Sequence, residues 1–360
     1  MILPHTNSMI LVLMIVSMFC WGSWASTFKL AGKWRFELYY FDFAFGLLLF
    51  ALIYAFTTGN LWYDGFGFMD NIMNAGKREW MYAIAAGIVF NVGNVLLLAA
   101  ISAAGMALAF PVTLGTALVL GVLENYFTSP GGNALYLSAG CLLVVGAILA
   151  DETGHRALGR LRHEELAKAG KAKSTRRPSD LKGIMLALVS GLLMHLFSPL
   201  LQKAMAPDVG LGPYAVWVFF GVGVLVSTFA LGMFLLNLSM QGEELSISAY
   251  FQSTPKQHIL GLAGGGLWCT GAVASFVAVY ANTAPGTGGG LPAGATPVGP
   301  ALGYAVAQSA ALLAALWGIL VWKEGKGGDF RVKLLMALTL ILFAGGVALI
   351  ALAPVFTAKS

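Results

Sequence analysis

Ten runs of about 20 apolar residues follow one another along the chain, separated by short polar breaks: 9–29, 39–56, 80–100, 105–126, 135–150, 183–202, 214–236, 259–280, 299–321 and 332–353. A helix rising about 1.5 Å per residue needs roughly that many to cross the hydrocarbon core of a bilayer. The pattern predicts ten transmembrane helices, spans 1 to 10, and an all-α membrane protein. Spans 3 and 4 are joined only by "ISAAGMA". The stretch "VFNVGNVLLLAA" sets two amides, Asn91 and Asn94, inside span 3. An unpaired amide in hydrocarbon costs several kcal/mol, so the face carrying them must look into the bundle.

Composition supports this class. The 360 residues are 58% hydrophobic and 10% charged, with a mean hydropathy of +0.79. A soluble domain carries about 25% charged residues, so these charges could not cover a globular surface. The 45 glycines suit close helix packing in lipid. Cys20, Cys141 and Cys269 lie in apolar runs at spacings that match no metal motif, and they read as small core residues. The opening "MILPHTNS" carries no Lys or Arg, so the first run reads as a retained helix rather than a secretory signal.

In a membrane protein the net charge of +5 reports topology, not nucleic-acid binding. With the N-terminus outside, 17 of the 21 basic residues fall on the inner side. Lys77, Arg78, Lys203 and Lys359 are left opposite. The bias predicts both termini outside a bacterial inner membrane and loop 151–182 in the cytoplasm. That loop holds nine basic and five acidic residues. It reads as a short amphipathic helix followed by a flexible basic linker, solvated or touching anionic lipid.

Five spans, a polar break and five spans invite a search for duplication. "VSMFCWGSWASTFK" (16–29) aligns with "VSGLLMHLFSPLLQ" (189–202), which sets Trp24 opposite Phe197. "GIVFNVGNV" (87–95) aligns with "GGLWCTGAV" (265–273), with Phe90 opposite Trp268. "GMALAFPV" (105–112) aligns with "GPALGYAV" (299–306), with Phe110 opposite Tyr304. Each pair joins spans of equal rank. An odd number of spans per half makes the repeat inverted, so the chain divides into a first five-helix repeat (1–150), the basic linker (151–182) and a second repeat (183–360). Such repeats hold their substrate near the midplane.

Polar and aromatic residues deep in the spans are the candidates for a site. Asn91 and Asn94 share a helical face. They read either as interhelical hydrogen bonds or as donors and acceptors for a polar solute. Their counterparts in the second repeat are Cys269 and Ala272, an asymmetry that suits an asymmetric solute. Trp21, Trp24, Phe110, Trp268 and Tyr304 are candidates for stacking on the solute or for lipid contact. Thr113 and Gln308 are further polar candidates. His195 in span 6 is a candidate proton carrier or a hydrogen-bonded core histidine. Pro199 removes the donor for the His195 carbonyl, and freed carbonyls often line cavities. Lys29 and Asp42, at the inner ends of spans 1 and 2, are candidates for a gating ion pair. Glu124, near the outer end of span 4, is similarly open. The uncharged, Gly- and Pro-rich link 282–299 is a connector or a lid over the outer mouth.

The stretches "CWGSWASTFKLAGKWRFELYYFDFAFG", "FNVGNVLLLAAISAAGMALAFPV" and "LWGILVWKEGKG" resemble bacterial members of the drug/metabolite transporter superfamily. The branch is the glucose/ribose porter and ureide permease group, with the rhamnose–proton symporter more distant. The resemblance implies ten helices in two inverted repeats, alternating access to small organic solutes, and a Glu near the end of span 9, which Glu324 matches. Loop 151–182 lacks the G-x-x-x-x-G-K-[ST] of a phosphate-binding loop.

Together these readings predict a secondary active transporter of a small neutral polar solute, a sugar or a ureide, with proton coupling. No cofactor is expected. The expected partners are the solute, the bilayer and protons, but not nucleic acid, and the chain is expected to act as a monomer or homodimer. Efflux of metabolites or drugs is the alternative within the class. A membrane-embedded enzyme is the alternative outside it, but the spans carry no H-E-x-x-H, G-x-S-x-G or paired carboxylates.

Overall fold

The computed structural model describes residues 1–61, 67–128, 132–169, 180–206, 210–237, 246–283 and 300–356. Linker residues 170–179 and the Gly-rich residues 284–299, on which the expected lid falls, lie outside the described residues.

Every regular element described is a helix. In chain order they are α1 (Asn7–Ser23), α2 (Ala25–Leu30), α3 (Phe36–Phe56), α4 (Phe68–Asn74), α5 (Lys77–Ala104), α6 (Met106–Thr128) and α7 (Ala134–Lys168). Then come α8 (Asp180–Ala204), α9 (Ala215–Asn237), α10 (Ser248–Phe251), α11 (Pro255–Thr283), α12 (Pro300–Leu316), a π-helical turn (Trp317–Val321) and α13 (Phe330–Leu352). Nine helices among the described residues, counting α1 and α2 as one, are long and apolar enough to cross a membrane. Val306–Val321 forms a shorter apolar helix where the ninth of the ten predicted spans falls. Large apolar side chains stand exposed along these helices, Leu142 at 71% and Ile341 at 67% among them. A hydrocarbon surrounding, not water, accommodates such a surface.

Local chemistry sets the helix ends. Thr6 Oγ1 accepts from Met9 N at the start of α1, and Asn133 Oδ1 accepts from Leu135 N at the start of α7. Asp329 Oδ1 accepts from Val332 N at the start of α13. Such caps contribute about 0.5–2 kcal/mol each. The junction of α5 and α6 is a single residue, Gly105, at φ +93°. Only glycine adopts that backbone readily, and a Cβ there would lie 2.7 Å from Glu324 Oε2.

The chain packs as two compact units, each drawing on both halves of the sequence. The first comprises Met1–Val95 and Leu196–Ala310. Here α11 lies along α1 and α3, and α9 lies along α3. Close approach of α3 and α11 depends on missing side chains. A Cβ on Gly265 would run into Phe43 O, and one on Gly46 into Leu262 O. Small residues at such crossings let two backbones meet, the usual device for helices in lipid.

The second unit comprises Leu96–His195 and Ala311–Ser360. In it α13 and α6 both pack on α7, and Gly140 and Gly346 make a reciprocal close contact. Helix α7 does not stop where its apolar run ends. The expected short amphipathic helix of loop 151–182 is its continuation to Lys168. The extension is anchored by Leu158 on Val332 and Met336, and by Arg162, whose Nη2 donates to Glu324 O (2.6 Å) and Lys326 O (3.0 Å).

Candidate functional site

Asn91 and Asn94 lie one turn apart on α5 and are fully buried. Asn91 Nδ2 donates to Ser227 Oγ (2.7 Å), and Thr228 Oγ1 donates to Asn91 Oδ1 (3.3 Å). Both hydroxyls belong to α9. Asn94 Nδ2 donates to Tyr40 OH on α3 at 3.1 Å. Within the first unit, two neutral amides thus tie α5 to α3 and α9. One acceptor is left over: Asn94 Oδ1 is buried and has no partner among the described residues. Buried acceptors are nearly always paired, and leaving one unpaired costs about 1–3 kcal/mol. The node borders a cavity of ≈ 10 Å³ lined by Tyr40, Thr228, Val95 and Glu37 among others, room for about one water.

Aromatic rings gather beside the amides. Phe90, the residue before Asn91, lies 4.5 Å from the Trp268 ring of α11 and 5.1 Å from Phe220 of α9. Trp268 stacks on Phe220 with planes 3° apart and meets Trp217 edge-on. Trp21 on α1 closes the group: its ring lies 6.1 Å from that of Trp268, and its Nε1 donates to Trp268 O (3.2 Å). The result is an apolar box whose faces can stack on a ring, next to amides that can hydrogen-bond its substituents.

A second polar group lies near the start of α3. Asp42, 4% exposed, accepts from Tyr250 OH at Oδ1 (2.6 Å) and meets His258 Nδ1 at Oδ2 (2.7 Å). Glu37 pairs with Arg35 through both carboxylate oxygens. These two contacts of Asp42 do not include its expected gate partner, Lys29. Glycine at 261 brings α11 against Asp42, and Asp42 turns to α10 and α11. Lys29 stands half-buried at the end of α2.

The other predicted residues are distributed as follows. Trp24 is buried and packs on Phe43 at 5.0 Å. Gln308 is half-buried on α12. Tyr304 also lies on α12, and its side chain falls outside the described residues. In the second unit, Phe110 and Thr113 are buried on α6, and Thr113 Oγ1 donates to Ala187 O at 3.1 Å. There too His195 Nε2 lies 3.0 Å from Glu124 Oε2, an exposed carboxylate. Glu324 turns its carboxylate onto the first turn of α6, accepting from Met106 N (3.0 Å) and Ala107 N (2.8 Å). This is a charge-assisted cap. A groove of ≈ 350 Å³ between the α7 extension and the start of α13 is lined by charges of both signs, including Arg156, Arg160, Glu164 and Arg331. That lining is unlike the amide node.

Sequence reading overlooked Tyr40, Ser227 and Thr228 as partners of the amides, Trp217 and Phe220 in the box, and Tyr250 and His258 around Asp42.

No protein-family model matches the chain. Ureide permease 4 of Arabidopsis thaliana is 24% identical over 400 residues, which cover 94% of this chain and 95% of that protein. Ureide permease 2 of the same plant is 22% identical over 401 residues, with the same coverage. These likenesses support a permease family. A solved crystal structure of a protein aligns over 98% of this chain and all of its own with a TM-score of 0.52 and 16% identity, a likeness of fold. The cavity at the node is far smaller than a small-molecule site of about 300–1,000 Å³.

Proposed function

We propose that the chain is a secondary active permease for a small neutral polar solute, sugar- or ureide-like, driven by protons and working by alternating access. The observation that carries this reading is the pairing of Asn91 and Asn94 with the ring box of Trp21, Phe90, Trp217, Phe220 and Trp268. An amide supplies both a donor and an acceptor, which suits hydroxyl and ureide groups alike, and the unpartnered Asn94 Oδ1 is an acceptor ready for a solute N–H or O–H. The likeness to two ureide permeases over most of the chain supports the same class of solute. Two inverted repeats, import across a bacterial inner membrane and outward termini complete the proposal.

Export of organic cations would need a buried carboxylate free to meet the cation. Among the described residues of the first unit, the two buried carboxylates are engaged, Glu37 by Arg35 and Asp42 by Tyr250 and His258. The test is thermal unfolding of the detergent-purified chain with sugars, ureides and organic cations. A bound solute at 100 times its Kd stabilises by about 2.7 kcal/mol. We expect a neutral solute to raise the unfolding temperature and Asn94→Ala to abolish the rise. A rise with cations alone would contradict the proposal.

A further inference from the structure

Asp42 is the most fully enclosed part of a cluster that joins three separate elements. It lies on α3, Tyr250 on α10 and His258 in the first turn of α11. Both carboxylate oxygens are taken, one by the Tyr250 hydroxyl and one by His258 Nδ1. The approach is enforced by the backbone: a Cβ on Gly261 of α11 would lie 2.5 Å from Asp42 Cβ. Trp34 and Tyr250 meet the imidazole edge-on, at 5.3 and 4.8 Å. The two partners differ in access, since the side chain of Asp42 is 6% exposed and that of His258 is 26% exposed.

This arrangement has the parts of a proton site. A carboxylate removed from water is costly without a counter-charge. Neutral imidazole gives it one hydrogen bond from Nδ1–H. A proton taken up on Nε2 turns the imidazole into imidazolium while Nδ1–H stays on Oδ2, and the pair goes from one net negative charge to none. Tyr250 remains a hydroxyl donor throughout, because burial and the Asp42 carboxylate beside it push its phenol up.

The surrounding elements add few competing charges. Tyr39 on α3 shares a hydrogen bond with Thr27 of α2, and Arg35 and Glu37 satisfy one another. α2 brings Lys29 and α11 brings an exposed Lys256, whereas α1 and α9 carry no charged residue. The His195–Glu124 pair lacks this character, because its carboxylate is 42% exposed and water screens it.

Taking the chain as the proton-driven permease proposed above, on which this step rests, we infer that Asp42 and His258 bind the coupling proton and Tyr250 positions them. The proton holds the ends of α3, α10 and α11 together. Separation of those ends breaks the hydrogen bond between Asp42 Oδ2 and His258 Nδ1. By reciprocity, loading and release of the proton bias opening. The loaded pair is a hydrogen bond charge-assisted on both sides and the unloaded pair a weaker one from neutral imidazole, so the latch is tighter when the proton is bound.

The experiment uses proteoliposomes of the full chain and a transported sugar or ureide from the panel. It measures both accumulation driven by an inward proton gradient and solute-for-solute counterflow without a gradient. One proton per solute gives about tenfold accumulation per pH unit. Wild type and His195→Gln are expected to reach it. Asp42→Asn and His258→Gln are expected to fall to equilibration, about onefold, while counterflow stays measurable. Tyr250→Phe should accumulate solute with its pH optimum displaced.

If Asp42→Asn or His258→Gln accumulates like wild type, the assignment is overturned. Wild-type counterflow without gradient-driven accumulation also overturns it, but leaves the permease standing. Absence of any solute transport removes the permease reading itself, and this step with it. Should Asp42→Asn fail to fold, a fluorescence titration decides. The pH-dependent quenching of Trp34 by imidazolium, taken as wild type minus Trp34→Phe, should vanish in His258→Gln. A wild type with no such step would refute the site.

Discussion

At the scale of single residues, the question is whether Asn91 and Asn94 hold helices together or read a solute. The two roles separate by magnitude. An interhelical hydrogen bond in lipid contributes about 0.6 kcal/mol on average. Asn91→Ala or Asn94→Ala should therefore lower the unfolding temperature by no more than about 3 °C. Uptake should fall about tenfold or more, the worth of one well-placed hydrogen bond. Thermal unfolding and initial-rate uptake on the same preparations check this. A large loss of stability with normal uptake per folded molecule would make the pair architectural. The amides were legible in the sequence because polar groups in an apolar run demand an explanation. Their partners were not, because Ser227 and Thr228 are ordinary in a membrane helix, where they also bond their own carbonyls at Gly223 and Val224. His258 and Tyr250 escaped notice for another reason: both fall just outside the apolar runs, and only the packing of α11 on α3 brings them to Asp42.

At the scale of elements, the apolar runs located the helices well, since length and hydropathy are set by the bilayer. Their ends and contacts depended on single residues. "ISAAGMA" resolves into two helices because Gly105 takes φ +93° and Glu324 caps the second of them. Charge-assisted bonds of this kind are worth about 1.5–3 kcal/mol. Glu324→Ala should therefore lower the unfolding temperature by several degrees, and Glu324→Gln, which keeps an acceptor, by less; equal losses would argue against the cap. Gly265→Leu should cost about 1–3 kcal/mol or more by forcing α11 off Phe43 of α3, again read by thermal unfolding. The length of α7 was not readable from hydropathy. Its extension is polar outward, and it is held by Leu158 and Arg162 through contacts with parts of the chain more than 150 residues away.

At the scale of the whole molecule, the proposed sequence repeats and the units in the packing divide the chain differently. The aligned segments separate residues 1–150 from 183–360, whereas each compact unit takes helices from both halves. An alignment of segments carries no information on which helices touch, so it could not reveal the units. Orientation is a property of the same scale. Single cysteines replacing His5 and Lys168, in a chain stripped of Cys20, Cys141 and Cys269, should react differently with an impermeant maleimide on intact cells. Position 5 should label, and position 168 only after permeabilisation; the reverse would invert the topology. The central claim is that this permease moves a neutral polar solute past the amide pair and the rings. Uptake by proteoliposomes across matched sugars, ureides and organic cations tests it most directly. We predict entry of a neutral member of the panel that Asn94→Ala lowers about tenfold or more. Transport of cations alone, unaffected by Asn94→Ala, would contradict it.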